Sequence, residues 1–243
     1  MNEDLRLRIL EMGKIKKFGH FGSVMSCLDS IKFLYDEVLT NDDIFILSKG
    51  HGAPALHAVL ESKGFTPPWT VHNEYDEKNG IKATTGSLGL GLPTAIGRGL
   101  AKQLKNENGT AYCMVGDGEM QEGVIWESLN LAHRFLKKFV LIVDYNHYQA
   151  IQDVKTIIDE DAISLRNKIE AFGFNVVDLN GHDLESLRSF NWKEEKLNCV
   201  ILHTQKGKGI PFLEKNPTYH VLYQHERPDV FEEAEKSWSK DEV

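Results

Sequence analysis

Residues 111–124 read AYCMVGDGEMQEGV, and residues 139–148 read FVLIVDYNHY. Ala111 to Val115 is a short apolar, β-rich run, followed by Gly116-Asp117-Gly118-Glu119, then Gln121-Glu122-Gly123 and an apolar-periodic stretch from Val124. A strand, a glycine turn and a helix N-terminus together make an anion site: glycine lets backbone N–H groups come close to a phosphate, and the helix dipole favours negative charge. Asp117 offers a carboxylate at the strand end. The second run, a strand over 139–143, leads into Asp144-Tyr145-Asn146-His147-Tyr148, which puts the amide oxygen of Asn146 at the tip of a second strand. Two adjacent strand tips can clamp one hard cation between a carboxylate, an amide oxygen, a backbone carbonyl and diphosphate oxygens, a Mg²⁺ or Ca²⁺ site completed by its phosphate ligand. A lone Gly-Asp-Gly triplet is also an ordinary turn, so the specificity lies in the combination with Gln-Glu-Gly and the strand-terminal Asn.

Working outward, further apolar β-rich runs stand at 44–47, 174–179 and 199–203, and helical periods at 52–63, 92–105, 122–136, 160–172 and 183–190. Strands alternating with helices predict an α/β fold, a doubly wound parallel sheet with helices on both faces. Such sheets bind ligands beyond the carboxyl ends of their strands. No internal repeat, linker or low-complexity segment divides the chain, so residues 1–243 are read as one domain. The polar tail from Glu214 to Val243 is expected to lie over the domain surface or an interface.

The formal net charge of -8 excludes a general nucleic-acid surface, since phosphate backbones require Lys/Arg clusters. Lys14, Lys16 and Lys17 fit a solvated helix face. No segment approaches the roughly 18 apolar residues of a membrane span, and the expected location is cytoplasmic. Cys27, Cys113 and Cys199 are odd in number and far apart, so they read as small core or helix residues rather than a disulfide or zinc framework.

His51 follows Lys49-Gly50 and precedes Gly52 and Pro54, a helix-entrance position that favours a ligand-facing role. His57 lies six positions on, at about 100° per residue well round the helix, so the two do not form a zinc pair. Gly89-Leu90-Gly91 lacks the third glycine of a dinucleotide fingerprint, because Thr94 occupies that place. His133, His147, His182 and His203 carry no independent functional case.

GDGEMQEG with VDYNHYQ resembles the transketolase version of the thiamine diphosphate signature. GHFGS at 19–23, LSKGHGA at 47–53, TTGSLGLG at 84–91, FGFNVVDLNGHD at 172–183 and HTQKGKGIPFLE at 203–214 resemble consecutive transketolase motifs in the same order. The resemblance implies thiamine diphosphate and Mg²⁺ (with Ca²⁺ or Mn²⁺ as substitutes). By it, Asp117 and Asn146 are metal ligands, and Tyr148 adds its backbone carbonyl. Gly116 and Gly118 meet the diphosphate, with Glu119 beside them, and the loop Gly86 to Gly91, including Leu88, packs on the cofactor. His20, His51 and His220 line the funnel to the thiazolium, near the diphosphate or the sugar hydroxyls. Glu122 links two cofactor sites across an interface. The implied activity is transfer of a two-carbon ketol unit between phosphorylated sugars. Rival readings are another thiamine diphosphate enzyme, such as a deoxyxylulose-phosphate synthase or the α chain of a keto-acid dehydrogenase, and a non-catalytic module of the same fold.

Two departures stand out. Full-length transketolases continue with a pyrimidine-binding and a C-terminal domain, which this sequence lacks, and this implies a separate C-terminal subunit, with an α₂β₂ assembly and sugar phosphate substrates. Between Phe65 and Thr84 the family has a longer stretch with a glycine-histidine-proline segment whose histidine reaches the substrate. Here the residues are FTPPWTVHNEYDEKNGIKAT, and His72 is the histidine available to replace it.

Overall fold

The computed structural model describes residues 2–150, 152–158 and 161–238. Five strands form one sheet: β1 (Ile44–Leu47), β2 (Ala111–Gly116), β3 (Phe139–Tyr145), β4 (Asn175–Asn180) and β5 (Leu197–His203). Their order is β1-β2-β3-β5-β4, and every neighbouring pair is parallel. The helices are α1 (Glu3–Lys16), α2 (Phe21–Phe33), α3 (Ala53–Ser62), α4 (Gly91–Leu104), α5 (Gly123–Phe135), α6 (Val154–Ile158), α7 (Ala162–Ala171), α8 (Leu184–Arg188), α9 (Pro211–Lys215) and α10 (Pro228–Trp238). This is the expected α/β architecture, and all five predicted strands are present.

Alternation along the strands divides the core into two layers. Tyr112, Met114, Val140, Ile142, Val200 and Leu202 face a layer built from α1, α2, α3, α8 and α10, while Cys113, Val115, Leu141, Val143, Cys199 and Ile201 face α4, α5 and α7. The central strands are buried on both sides, which is why they read as unbroken apolar runs. β4 forms an edge, and Asn175, Asp178 and Asn180 there are exposed. All three cysteines are buried and unpaired, on α2, β2 and β5.

The structure corrects the reading of the tail: α10 places Val230, Phe231 and Ala234 in the first core layer, with Phe231 4.8 Å from Phe21 between ring centroids. The segment is polar in composition, yet one stripe of the helix is apolar, and that stripe packs. Residues 239–243, and Glu160 at the start of the predicted 160–172 helix, lie outside the described residues. Among the described residues, no helix is long and apolar enough to cross a membrane.

His57, on α3, is fully buried against the edge of Trp69. Burial pushes its pKa down to about 4, and the Asn73 amide opposes this only in part. The folded pKa lies below the unfolded value near 6.5, so the neutral ring contributes stability above pH 6.5 that is lost as the pH falls towards 4. Going from pH 7.5 to 5 should cost about 2 kcal/mol through this residue. Urea midpoints measured across that range, with and without His57→Leu, check the expectation; an unchanged acid slope in the variant would refute it.

Candidate active site

Beyond the carboxyl ends of β1, β2, β3 and β5 opens a cleft of about 340 Å³. The residues assigned from sequence line it, except that of the loop Gly86 to Gly91 only Gly86 and Leu88 do so. Gly116, Asp117, Gly118 and Glu119 come from the β2 tip and Asn146 and Tyr148 from the β3 tip. Gly86 and Leu88 come from the loop before α4, and Glu122 sits at the start of α5. His20, His51 and His220 form the opposite wall.

The β2 tip has the expected order of strand, turn and helix, with one addition. A 3₁₀ turn, Glu119–Gln121, stands between the glycine turn and α5, which begins at Gly123. Asp117 is buried; its Oδ1 accepts the Gly118 N–H at 2.8 Å, and its Oδ2 has no hydrogen-bond partner. Burial, and then the charge of Asp144, push its pKa up to about 7. A Cβ on Gly116 would meet nothing closer than the Lys49 side chain at 4.0 Å, so the protein itself does not require this glycine's bareness; the space belongs to the cleft. Asn146 Oδ1 accepts the Tyr148 N–H at 3.1 Å, which fixes the β3 tip beside Asp117.

Glu119 is buried, and its carboxylate is fully engaged by the protein. Oε1 accepts from Ser48 Oγ at 2.6 Å and Gly89 N at 2.7 Å, and Oε2 accepts from Gly116 N at 3.1 Å. Burial raises its pKa, against these donors. The residue thus ties the glycine-rich loop to the tips of β1 and β2. Gly89, at φ +84°, takes a backbone shape costly for other residues and turns its N–H to that carboxylate.

Below the cleft lies a buried ion pair. Lys49 Nζ contacts Asp144 Oδ2 and donates to Ser23 O at 3.1 Å. Asp144 also accepts from Ser26 Oγ at 2.6 Å and from the Thr204 hydroxyl. Burial opposes ionisation of both groups, but their mutual attraction holds Asp144 below the usual carboxylate range and Lys49 above the usual amine value.

The histidines cluster. His20 lies 4.9 Å from His220, 5.8 Å from His51 and 6.1 Å from His72 between ring centroids. Burial, reinforced by His220 and His72, lowers the His20 pKa to about 4; burial and then Lys49 hold His51 well below 6.5; burial and then Lys206 lower His220. These three rings are therefore neutral at pH 7, able both to donate and to accept hydrogen bonds. His20 Nδ1 has no partner within the protein. His72 lines the cleft with them.

Two further cleft residues escape sequence reasoning. Lys206 is largely buried, donates to Gln149 O at 3.0 Å and forms no ion pair among the described residues; burial lowers its pKa to about 8, although Asp117 pulls it upward. Ser23 is buried with an unpartnered Oγ. Both lie inside glycine-flanked motifs, GHFGS and KGKG, and that is their only signal in the sequence.

An unpaired carboxylate oxygen, a bare glycine and a buried unpaired cation at two strand tips fit a metal–diphosphate group. The family model for the transketolase thiamine diphosphate binding domain matches residues 5–221. The chain is 31% identical to a subunit of the apulose-4-phosphate transketolase of Phocaeicola vulgatus, over 90% of this chain and 86% of that protein. It is 34% identical to the 6-deoxy-6-sulfo-D-fructose transketolase subunit SqwG of Clostridium sp., over 89% and 87%. The crystal structure of Campylobacter jejuni transketolase superposes with a TM-score of 0.80 at 26% identity, covering 97% of this chain but 41% of that one. The chain belongs to the transketolase family, as a thiamine diphosphate-binding domain.

Proposed function

We propose that this chain is the thiamine diphosphate- and Mg²⁺-binding subunit of a two-chain transketolase that transfers a two-carbon ketol unit between sugar phosphates. The observation that carries the reading is the cleft itself, where the orphaned Asp117 Oδ2, the bare Gly116 and the unpaired Lys206 face a wall of neutral histidines. Asp117, Asn146 and the Tyr148 carbonyl would hold the metal, and Gly116, Gly118, Lys206 and Ser23 the diphosphate. When bound, the cofactor supplies the carbanion chemistry that breaks and forms the C–C bond. The chain's own task is to bind, orient and move protons: His20, His51 and His220 present neutral rings, and His72 a fourth imidazole, that can hydrogen-bond sugar hydroxyls and shuttle a proton at the carbonyl oxygen. The buried floor keeps those interactions strong by excluding water.

Support for a separate partner comes from the relatives named as subunits and from the surface around Glu122. Glu122 is exposed at the rim of the cleft, with no capping bond to α5. Beside it, the solvent face of α4 presents Leu90, Thr94, Gly97, Ala101 and Leu104 at helical spacing, and α5 adds Leu131 and Phe135. Leu104 is 74% exposed and Leu90 52%, an apolar stripe of the kind that another chain covers. The stripe and Glu122 together suit an α₂β₂ assembly with a polypeptide of roughly 300 residues carrying the pyrimidine-binding and C-terminal domains.

The test is an assay of the full chain with thiamine diphosphate, Mg²⁺ and several ketose phosphates, with and without that second polypeptide, and sedimentation of the mixture. Ketol transfer should rise from background on mixing. Robust turnover by the chain alone would overturn the two-chain reading.

A further inference from the structure

The loop between α3 and α4 carries His72 into the histidine cluster without a regular element to support it. From Lys63 to Leu90 it consists of turns and irregular backbone, with the 3₁₀ turn Glu77–Asn79 and the bridge between Asp76 and Ile81. His72 is exposed on this loop, yet its ring lies 6.1 Å from that of His20 and close against Gly86, where an added Cβ would stand 3.4 Å from the imidazole. A solvent-facing side chain on irregular backbone loses the freedom of its two side-chain torsions and of the backbone beneath it in holding such a place, so something beside it must fix the backbone.

The neighbouring side chain does so. Asn73 is buried, and its Nδ2 donates to Leu47 O at 3.3 Å and to Thr85 Oγ1 at 3.0 Å. Thr85 Oγ1 in turn donates to Leu47 O at 2.9 Å, and the Thr85 N–H donates to Asn73 O at 3.0 Å. Four hydrogen bonds thus join three places: the last residue of β1, the start of the glycine-rich loop, and the residue after His72. Asn73 is also near enough to His57 to act on its pKa, while its Oδ1 and both His57 ring nitrogens have no hydrogen-bond partner. Nothing in this arrangement touches the cleft, since neither Asn73 nor Thr85 nor His57 lines it.

We infer that Asn73 is the positioning residue for His72, clamping the loop to β1 and Thr85 so that the imidazole stands at a fixed place beside His20 and Gly86. The inference rests on the proposed function only for the use made of His72; the placement is a property of the chain by itself. Because Asn73 acts through a few buried hydrogen bonds, losing the two that its side chain makes should loosen the loop without unfolding the domain.

The experiment uses the full chain labelled at histidine nitrogens, with the His72 ring signals identified by their disappearance in His72→Ala. Asn73→Ala, and Thr85→Val as a variant that removes the bridging hydroxyl while keeping its shape, are each checked for folding by circular dichroism. In both, the His72 signals should move towards those of a histidine in an unstructured chain while those of His51 stay in place, and amides of residues 70–76 should exchange at least about tenfold faster. Unmoved His72 signals in either folded variant would overturn the inference. Turnover with the second polypeptide addresses the functional reading separately: Asn73→Ala combined with His72→Ala should be no slower than His72→Ala alone, and a double variant well below it would show that His72 is not what Asn73 serves in the reaction.

Discussion

Asp117→Ala is expected to abolish cofactor-dependent turnover while leaving the thermal midpoint equal to or above that of the parent chain. The two effects separate because of how the carboxylate is held. Oδ1 has one protein donor and Oδ2 none, although both are buried. An unsatisfied buried polar oxygen costs about 1–3 kcal/mol, so removing it relieves the fold. The same oxygen is the free ligand for a metal, and its loss should weaken cofactor binding by more than the roughly 10–100-fold that follows from losing a partner one shell further out. Calorimetry with thiamine diphosphate and Mg²⁺ on the two-chain enzyme, beside melting curves of this chain, measures both. Undiminished turnover, or a fold lost along with activity, would disqualify Asp117 as a metal ligand.

Asp144→Ala should have the largest effect on stability, destabilising the chain by about 3–5 kcal/mol. The substitution leaves the Lys49 ammonium at 1% exposure hydrogen-bonded only to a carbonyl and a hydroxyl, with the weaker pull of the Asp117 charge as its remaining compensation, and removes the carboxylate to which Ser26 and Thr204 donate. Set against a typical total of about 5–15 kcal/mol, that is a large fraction. Removing both charges in Lys49→Met/Asp144→Leu should recover much of the loss, since buried pairs are often replaceable by apolar residues of similar size. Urea denaturation of the single and double variants decides it: a single substitution costing under about 1 kcal/mol would show that the pair is not truly desolvated.

The strands are legible because a parallel sheet buried on both faces needs continuous apolar runs, and 44–47 coincides with β1 to the residue. The apolar run of β3 ends at Val143, but the strand extends through Asp144 and Tyr145. A buried aspartate in a strand betrays nothing of the lysine almost a hundred positions earlier that neutralises it. The second helix is absent from the predicted series for a related reason. α2 is buried almost all round, from Phe21 to Ile31, so it shows no contrast between faces for a helical period to register. At the site, the glycines, Asp117 and Asn146 are visible as local motifs. The role of Glu119 as a three-donor hub is not, because Ser48 and Gly89 reach it only through the fold. Lys206 and Ser23 sit in recognisable motifs, but what sets them apart is burial without a partner, a property no linear pattern encodes.

The sulfur atoms give the molecule an internal reporter. Cys27, Cys113 and Cys199 are each fully enclosed, and burial pushes the Cys27 thiol up to about 12 and the other two well above their ordinary value. Alkylating reagents attack thiolates, so the native protein offers them almost no target at neutral pH. The three sit on α2 and on the two strands β2 and β5 that flank β3, so local opening of a loop, such as the one bearing His72, leaves them shielded. Labelling at these positions therefore counts only openings that part the sheet from its helices, and distinguishes them from the smaller motions around the cleft.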